Sequence, residues 1–295
     1  DPIVDEHTSE FQLERAITHW AKDKVSANVP LWIYLMSHNT NTSFLLEDSD
    51  QGQTFLEADK LGSWLDQIPE EVQVTVIIEA CYSGNFIPVI GKKRNRVIIT
   101  STDSENQAQI HRSSSFSKFF FENARRNMSI ADDFEDVVNR MERNAIHSGQ
   151  RPRIDSNGNG VPNEPSDFIA VKTRYIPDNI EPLTKPIMTD LNATPSTLSG
   201  GLTASLFSVR IPGSAVMTQV QAMVIPSNFN FSQSFDNWVE FDTFNLADPD
   251  GDRIFVGSYG KFTQNGDYTV LLDAVDQHGN TADPLQVIIT QVDGQ

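Results

Sequence analysis

The chain has 295 residues and a formal net charge of −18 at pH 7. This length is enough for one large or two medium domains with a real hydrophobic core. The acidic charge argues against nucleic acid, which requires a basic patch, and against anionic membranes. No apolar run approaches the ~20 residues of a membrane-spanning helix. The single cysteine excludes an internal disulfide, so cysteine content does not indicate the compartment.

The first elements along the chain are a helix and an apolar strand. Ser9 and Gln12 fit a capping box, and residues 9–24 predict a helix with one apolar stripe: Leu13, Ala16, Ile17 and Trp20. Residues 30–36 form an apolar run that ends just before His38. Such a run predicts a buried parallel strand that carries His38 directly after its carboxyl end.

The only cysteine of the chain follows a second apolar run. A small hairpin over residues 43–56 and a helix over residues 57–68 lead to the run at residues 72–78, and Cys81 follows shortly after it. Since one crossover helix fits between the two runs, we expect adjacent parallel strands that bring His38 and Cys81 to the same edge. This pairing is typical of a thiol nucleophile beside a base or polarising group.

The pattern continues with a third strand at residues 97–100, a polar rim loop at 103–115, and helices at 116–127 and after Ser129. Strands that alternate with helices predict a mostly parallel α/β sheet with right-handed crossovers.

The string EACYSG at residues 79–84 closely resembles the nucleophile motif of legumain-type cysteine peptidases. Their wider clan includes caspases, gingipains, clostripain and separase. The strand before His38 and residues 97–103 resemble the same family, over roughly residues 9–167. The family usually has glycine after the histidine, where this chain has Asn39. The resemblance implies the caspase–hemoglobinase fold and a thiol peptidase with His38 and Cys81 as catalytic residues.

The resemblance also implies roles for neighbouring residues. The backbone N–H groups of Asn39 and Cys81 would bind the oxyanion, and asparagine tolerates left-handed backbone angles better than most residues. Glu79, Ser101 and Asp103 would line the S1 pocket, where carboxylates favour a basic or amide P1 residue over an acidic one. Glu79 has an alternative role as a structural hydrogen-bonding residue.

Family members have a further strand and helix before the helix that begins near residue 9. This chain offers only residues 1–8 there. We therefore expect one product of a cleaved or truncated precursor, with an N-terminal fragment of that precursor as a candidate partner. Self-processing would fit this expectation.

Residues 154–167 match the first half of an EF-hand-type calcium loop, because oxygen-bearing side chains alternate before a glycine. Position twelve holds Ser166 instead of glutamate, so the loop would be a variant. A polar Asn/Gly turn is the alternative interpretation. The expected Ca²⁺ ligands are Asp155, Asn157, Asn159, the Val161 carbonyl, and Glu164 or Asp167.

The composition of the sequence changes after residue 174. Residues 175–195 are rich in proline and polar residues and predict a linker between a peptidase domain, 1–174, and a β domain, 196–295. Residues 266–280 resemble the closing hairpin of bacterial immunoglobulin-like or fibronectin-like modules. A β-sandwich is predicted by short β-rich runs at 202–209, 215–225, 238–244, 253–259, 268–274 and 285–292.

Together these features predict a cysteine endopeptidase that acts on peptide or protein substrates. The β domain, the acidic surface and the calcium loop favour an extracellular, cell-surface or periplasmic location in a bacterium. The alternative is an inactive peptidase-fold scaffold for calcium-dependent binding or adhesion.

Overall fold

The computed structural model divides the chain into two compact units: Asp1–Val138 with Gly149–Asp178, and Asn139–Ser148 with Asn179–Gln295. The expected boundary at residue 174 is close to this division, although Asn139–Ser148 counts with the second unit. Residues 1–8 and the first three residues of the expected strand at 238–244 lie outside the described residues. Those are 9–49, 52–111, 114–124, 126–176, 185–229 and 241–292.

The first unit contains helices, a central sheet and a small second sheet. Helix α1 continues into a π-helical stretch, Ala16–Ala21, and a short 3₁₀ turn, Ser83–Phe86, precedes α3. In chain order the elements are α1 (Glu10–Arg15), β1 (Leu31–Met36), β2 (Asn39–Thr40), β3 (Ser43–Ser49), β4 (Gly52–Glu57), α2 (Ala58–Leu65), β5 (Val74–Glu79), α3 (Ile87–Ile90), β6 (Arg96–Thr100), α4 (Phe116–Ala124), α5 (Ile130–Glu142), β7 (Arg153–Asp155) and α6 (Pro165–Val171). The end of α5, from Asn139 onward, counts with the second unit.

The central sheet has the strand order β1-β5-β6-β7. Strands β1, β5 and β6 are parallel, and β7 is antiparallel to β6. Every residue of β5 is buried, as expected for a β-branched strand that is covered on both faces. This mixed α/β architecture with a parallel sheet is consistent with a caspase-like fold. The described part of β1 pairs only with β5, so β1 lies at the edge of the described sheet.

The helices supply most of the rest of the core. Ser9 forms the expected capping box with Gln12, and Ile17 is buried. Trp20, which we expected on the same buried stripe, is 52% exposed. The π-helical stretch has more residues per turn than an α-helix, so it rotates Trp20 away from that stripe. The expected buried face of α2 is confirmed by Leu61, Trp64 and Leu65.

The hairpin predicted over residues 43–56 is also present. Strands β2, β3 and β4 form an antiparallel meander in which Phe44 lies opposite both Asn39 and Leu56. Phe44 and Leu56 are buried in the same core as β5. This contact fixes the start of the meander, which directly follows His38.

The second unit is rich in strands and has its own hydrophobic core. Two sheets, of order β13-β10-β8 and β12-β11-β14-β15-β9, contribute buried side chains to one cluster. The segment expected to be a linker includes β8, because Ala193 pairs with Phe207 of β10. The strands are β8 (Thr189–Thr194), β9 (Thr197–Leu198), β10 (Ser205–Arg210), β11 (Met217–Ile225), β12 (Asp242–Asn245), β13 (Ile254–Tyr259), β14 (Gly266–Asp276) and β15 (Leu285–Gln291).

None of the helices in the described part of the chain combines the length and apolar character needed to cross a bilayer.

Candidate active site

The parallel register of β1 and β5 determines where His38 and Cys81 lie. Its last pair is Met36 with Glu79, and the Ser37 N–H donates to the Glu79 carbonyl at 3.3 Å. His38 and Cys81 follow this pair at the same offset. The structure therefore brings the exposed imidazole and the half-buried thiol to one edge of the sheet.

Directly after Cys81 the backbone turns through an unusual conformation. Tyr82 has φ 56° and ψ 20°, in the left-handed region that bulky residues seldom adopt. The Tyr82 N–H donates to the Asn106 carbonyl at 2.9 Å. A left-handed residue of this kind stores strain that the surrounding structure must hold in place. We call residues 80–84 the elbow.

Side chains from three segments bind the backbone of the elbow. The Ala80 N–H donates to Ser101 Oγ at 3.2 Å. Asn39 Nδ2 donates to the Cys81 carbonyl at 2.7 Å, and Asn85 Nδ2 donates to the Tyr82 carbonyl at 3.1 Å. Hydrogen bonds therefore fix the backbone before and after the thiol.

Gly84 allows the elbow to pack against the loop after β6. A Cβ atom at this position would lie 2.6 Å from the backbone carbon of Asp103, well inside contact distance. The Gly84 N–H points to the Asp103 carbonyl at 3.4 Å. Only glycine permits this backbone-to-backbone approach without a shift of the chain.

The thiol itself is covered on one side by the loop that follows Asp103. Cys81 Sγ donates to the Ala108 carbonyl at 3.8 Å. Burial raises the pKa of the Cys81 thiol, although the hydrogen bond to Ala108 acts in the opposite direction. At neutral pH the resting thiol is therefore mainly protonated.

The backbone N–H of Asn39 has an orientation compatible with the oxyanion role. The Leu45 N–H donates to the His38 carbonyl at 2.9 Å, which makes these two residues a hydrogen-bonded pair of the antiparallel ladder. Asn39 and Phe44 form the next pair, whose N–H groups point away from the partner strand. The Asn39 N–H is thus directed away from β3.

Glu79, which we expected in the S1 pocket, is fully buried. Its carboxylate accepts hydrogen bonds from the Tyr34 hydroxyl at 2.9 Å and from the Ser117 N–H at 3.2 Å. Burial, together with the negative charge of Glu79, raises the pKa of Tyr34. These contacts favour the structural role of Glu79 over direct contact with substrate.

Ser101 and Asp103 differ in their exposure. Ser101 is fully buried, and its Oγ accepts from the elbow as described above. Asp103 is partly exposed and pairs with Arg153 Nη2 at 3.2 Å. Burial acts to raise the pKa of Asp103. Hydrogen bonds from Glu105 and Asn106, together with the charge of Arg153, outweigh burial and hold this pKa below its usual value. Of the three expected S1 residues, only Asp103 reaches the surface.

The residues of the expected calcium loop lie around one turn after β7. Asp155 and Asp167 are fully buried, and Glu164 Oε2 accepts from the Nδ2 atoms of Asn157 at 3.2 Å and Asn159 at 2.5 Å. Burial raises the pKa of Asp155, and the nearby charge of Asp167 acts in the same direction.

Backbone N–H groups already bind both buried carboxylates of this loop. Gly158 and Gly160 donate to Asp155, and Ser156 is among the donors to Asp167. The Val161 carbonyl follows in the same turn. The expected ligand set is oxygen only, the chemistry that Ca²⁺ requires.

Among the described residues, one group of three acidic side chains has its ligand atoms within 4.8 Å of one another: Asp248, Asp250 and Asp252, in the second unit. Asp248 accepts hydrogen bonds from the N–H groups of Gly251 and Arg253. This is the geometry of an acidic turn, and exposed acidic groups often adopt it without an ion.

Sequence reasoning missed the residues that hold the elbow. Asn85, Asn106 and Ala108 carry no motif, because their role comes from loops that meet only in the folded chain. The side chain of Asn39 was also missed. One indication of it was present in the sequence: legumain-type peptidases usually have glycine after the histidine, and this chain has asparagine there.

Two family models match parts of the chain. Residues 16–159 match the model of the Peptidase C13 family, and residues 258–290 match that of the Internalin K domain (D3/D4). The parallel sheet and the first match together support a cysteine peptidase, a class of hydrolase. Within that class, the match points to the legumain family. No curated protein matches the chain.

Similarity to solved structures is low. The fibronectin(III)-like modules of CbhA from Clostridium thermocellum are 12% identical, with 37% of this chain and 100% of that chain covered and a TM-score of 0.25. Wild-type OgpA from Akkermansia muciniphila is 10% identical, with 100% and 91% covered and a TM-score of 0.30. The superoxide reductase of Ignicoccus hospitalis is 4% identical, with 37% and 82% covered and a TM-score of 0.26. TM-scores this low do not establish a shared fold.

Proposed function

We propose that this chain is a cysteine endopeptidase in which Cys81 is the nucleophile and His38 the general acid and base. The observation that supports it most is the register of β1 and β5, which carries both residues to the carboxyl edge of the sheet. The match of residues 16–159 to the Peptidase C13 family supports the same chemistry. Peptides or proteins are then the substrates.

The reaction proceeds through an acyl-enzyme. Cys81 Sγ forms a bond to the scissile carbonyl carbon while its proton passes to His38. The C–N bond then breaks, and His38 returns the proton to the leaving amine. Water attacks the thioester with His38 as base, which releases the acid product and the thiol. The N–H groups of Asn39 and Cys81 stabilise the oxyanion, a contribution of ~3 kcal/mol per donor.

The raised pKa of Cys81 makes the histidine essential in this scheme. A thiol that is protonated at neutral pH is a poor nucleophile, so its proton must be removed as the attack proceeds. The thiol must also leave the Ala108 carbonyl, which it contacts in the resting structure.

For the P1 side chain we propose an amide rather than a basic group. The carboxylate of Asp103 already pairs with Arg153, and a P1 lysine or arginine would have to compete with that guanidinium. An asparagine or glutamine amide can donate to Asp103 without displacing a charge. An acidic P1 residue is disfavoured beside this carboxylate.

A P1-diverse peptide library tests the proposal. We expect hydrolysis by the wild type, loss of turnover in Cys81→Ala, and a fall in kcat of about 100-fold or more in His38→Ala. Lys24→Ala, at an exposed position outside the site, serves as the matched surface control. A wild type that cleaves no peptide, with folded variants identical to it, would refute the proposal.

The second candidate function is a scaffold that retains the peptidase fold without turnover. The half-buried thiol and its raised pKa favour it, since an inert buried cysteine has these properties. In that case calcium-dependent binding or adhesion would be the function. Slow alkylation of Cys81 that is indifferent to His38 would support the scaffold.

We propose Ca²⁺ as a structural ion for the loop of residues 154–167. The buried carboxylates of Asp155 and Asp167 lie close enough for one to raise the pKa of the other, and a cation would relieve that repulsion. Asn157, Asn159, Glu164 and the Val161 carbonyl would complete an oxygen ligand set.

Two further proposals concern the surroundings of the protein. The acidic charge and the candidate calcium loop favour an extracellular, cell-surface or periplasmic location, with the second unit as an immunoglobulin-like accessory domain. A strand from an N-terminal fragment of the precursor would pair with the free side of β1, which lies at the edge of the described sheet. Co-purification of such a fragment, identified by intact mass, is the expected result.

A further inference from the structure

The side chain of Asn39 joins the turn after β1 to the turn after β5. We propose that Asn39 is a positioning residue, whose amide fixes the Cys81 carbonyl and so orients the nucleophile toward His38. This inference rests on the proposed peptidase function. It assigns to the side chain a role separate from that of the Asn39 backbone N–H in the oxyanion hole.

The contacts of the amide define its orientation. Asn39 is 4% exposed, and its Nδ2 donates to two carbonyls, that of Cys81 at 2.7 Å and that of Asn41 at 2.8 Å. A flipped amide would place its oxygen against both carbonyls, so the donor orientation is the one the site requires. The Oδ1 atom is buried and has no hydrogen-bond partner. A buried acceptor without a partner costs stability, which indicates that the amide is kept for its two donated bonds.

The position of the hydrogen bond from Asn39 to the Cys81 carbonyl explains how it could orient the thiol. The Cys81 carbonyl lies between the nucleophile and the left-handed Tyr82, so a hydrogen bond to it restrains the ψ angle of Cys81. That angle, together with the χ1 rotamer, sets where Sγ points relative to the sheet edge. Asn39 directly follows His38 in sequence, so the same residue ties the imidazole segment to the thiol segment. Glycine at this position would keep the backbone N–H and lose the bond between the two segments.

The decisive comparison uses Asn39→Gly and Asn39→Asp. Glycine removes the donor and keeps the backbone N–H, whereas aspartate keeps the size and places a carboxylate oxygen against the Cys81 carbonyl. We expect kcat to fall about 10- to 100-fold in both variants, because small misplacements of a reacting atom are costly. KM should change less than threefold. At low pH, protonated aspartate can donate again, so Asn39→Asp should regain part of its loss relative to Asn39→Gly.

Asn95→Ala is the matched control. Asn95 Nδ2 donates to the Val72 carbonyl at 2.8 Å, an equivalent amide-to-backbone bond at the opposite end of β5 and β6. Its loss should lower the melting temperature and leave kcat unchanged. Circular dichroism and thermal melts of all variants separate unfolding from loss of positioning.

Three outcomes are decisive. A fall in kcat in both Asn39 variants with intact folding and little change in KM supports the proposal. An active wild type with Asn39→Gly at equal kcat overturns the positioning role and leaves the peptidase function standing. A wild type that hydrolyses no peptide of the library overturns the peptidase function, and the role of Asn39 falls with it.

Discussion

At the scale of single residues, the environment of Cys81 combines two opposing features. The thiol stands at the carboxyl edge of a parallel sheet, the place where chemistry is expected, and it is half-buried with a raised pKa. A thiol in this state reacts slowly at neutral pH, because little of it is present as thiolate. In the proposed mechanism its reactivity depends on His38, which makes pH the best probe of the pair.

The first prediction concerns alkylation of Cys81 by iodoacetamide over a pH series. Because burial raises the thiol pKa, the rate in His38→Ala should stay low through neutral pH and rise only above the ordinary thiol value of ~8.5. Wild type should react faster than His38→Ala at neutral pH and at the same rate at high pH, where the thiolate needs no base. Superimposable profiles over the whole range would remove His38 from the mechanism.

A second prediction at this scale concerns Asp103, whose pKa lies below its usual value. The folded state favours the carboxylate, so its contribution to stability is present above the unfolded pKa of ~3.9 and is lost as pH falls through the folded pKa. We expect Asp103→Asn to lower the free energy of unfolding by about 1–2 kcal/mol at neutral pH. Urea unfolding should show the difference shrink in acid. Asp23→Asn, at an exposed position, should show no such pH-dependent loss.

At the scale of elements, hydrogen bonds join the elbow closely to the loop after β6. Backbone groups of the two segments bond directly, at Tyr82 with Asn106 and at Gly84 with Asp103. The same loop carries Ala108 over the thiol. The shape of the site therefore depends on how closely two irregular segments approach, rather than on either strand alone.

The third prediction tests that approach with two glycine substitutions. Gly84→Ala would put a Cβ atom 2.6 Å from the Asp103 backbone, so we expect a loss of about 1–3 kcal/mol and a shifted, inactive elbow. In Gly62→Ala, inside α2, the nearest atom is Ile90 Cγ2 at 3.6 Å. That variant should be stabilised by about 0.5–1 kcal/mol with unchanged turnover. Thermal melts and peptide hydrolysis measure both, and an active Gly84→Ala enzyme would contradict the close packing.

At the scale of the whole molecule, the chain holds two units with separate cores. Val76 belongs to the core of the first unit and Phe207 to that of the second. In the part of the chain that the structure describes, both units have an acidic segment: the first has the loop at residues 154–167 that we propose as a calcium site, and the second has the triad of Asp248, Asp250 and Asp252. Calcium effects must therefore be assigned to one unit by mutation.

The fourth prediction is that millimolar Ca²⁺ raises the melting temperature through the first of these segments, because binding to the folded state stabilises it by mass action. Asp155→Asn should abolish the rise, whereas Asp250→Asn should retain it. Differential scanning calorimetry with Ca²⁺ and with chelator measures the effect. Equal melting curves under both conditions would exclude a calcium site at residues 154–167.

Much of the first unit could be predicted from local pattern. The run that becomes β5 is short and β-branched, which favours a buried strand, and the apolar face of α2 has helical periodicity. The placement of His38 and Cys81 at strand ends followed from the same runs. Trp20 departed from its predicted stripe because the π-helical stretch changes the period of the helix, and β8 was hidden in a polar segment that becomes a strand by pairing with β10.

The sequence by itself determined which residues are candidates for the chemistry, because the motif around Cys81 and the apolar runs before the two candidate residues are each contiguous in the chain. Only the tertiary structure decided how that chemistry is arranged: that Glu79 is a buried hydrogen-bond acceptor, that Asn39 holds the Cys81 carbonyl, and that Ala108 lies against the thiol. The physical reason is that these contacts join residues far apart in the chain, and they exist only after the sheet has brought its strand ends together.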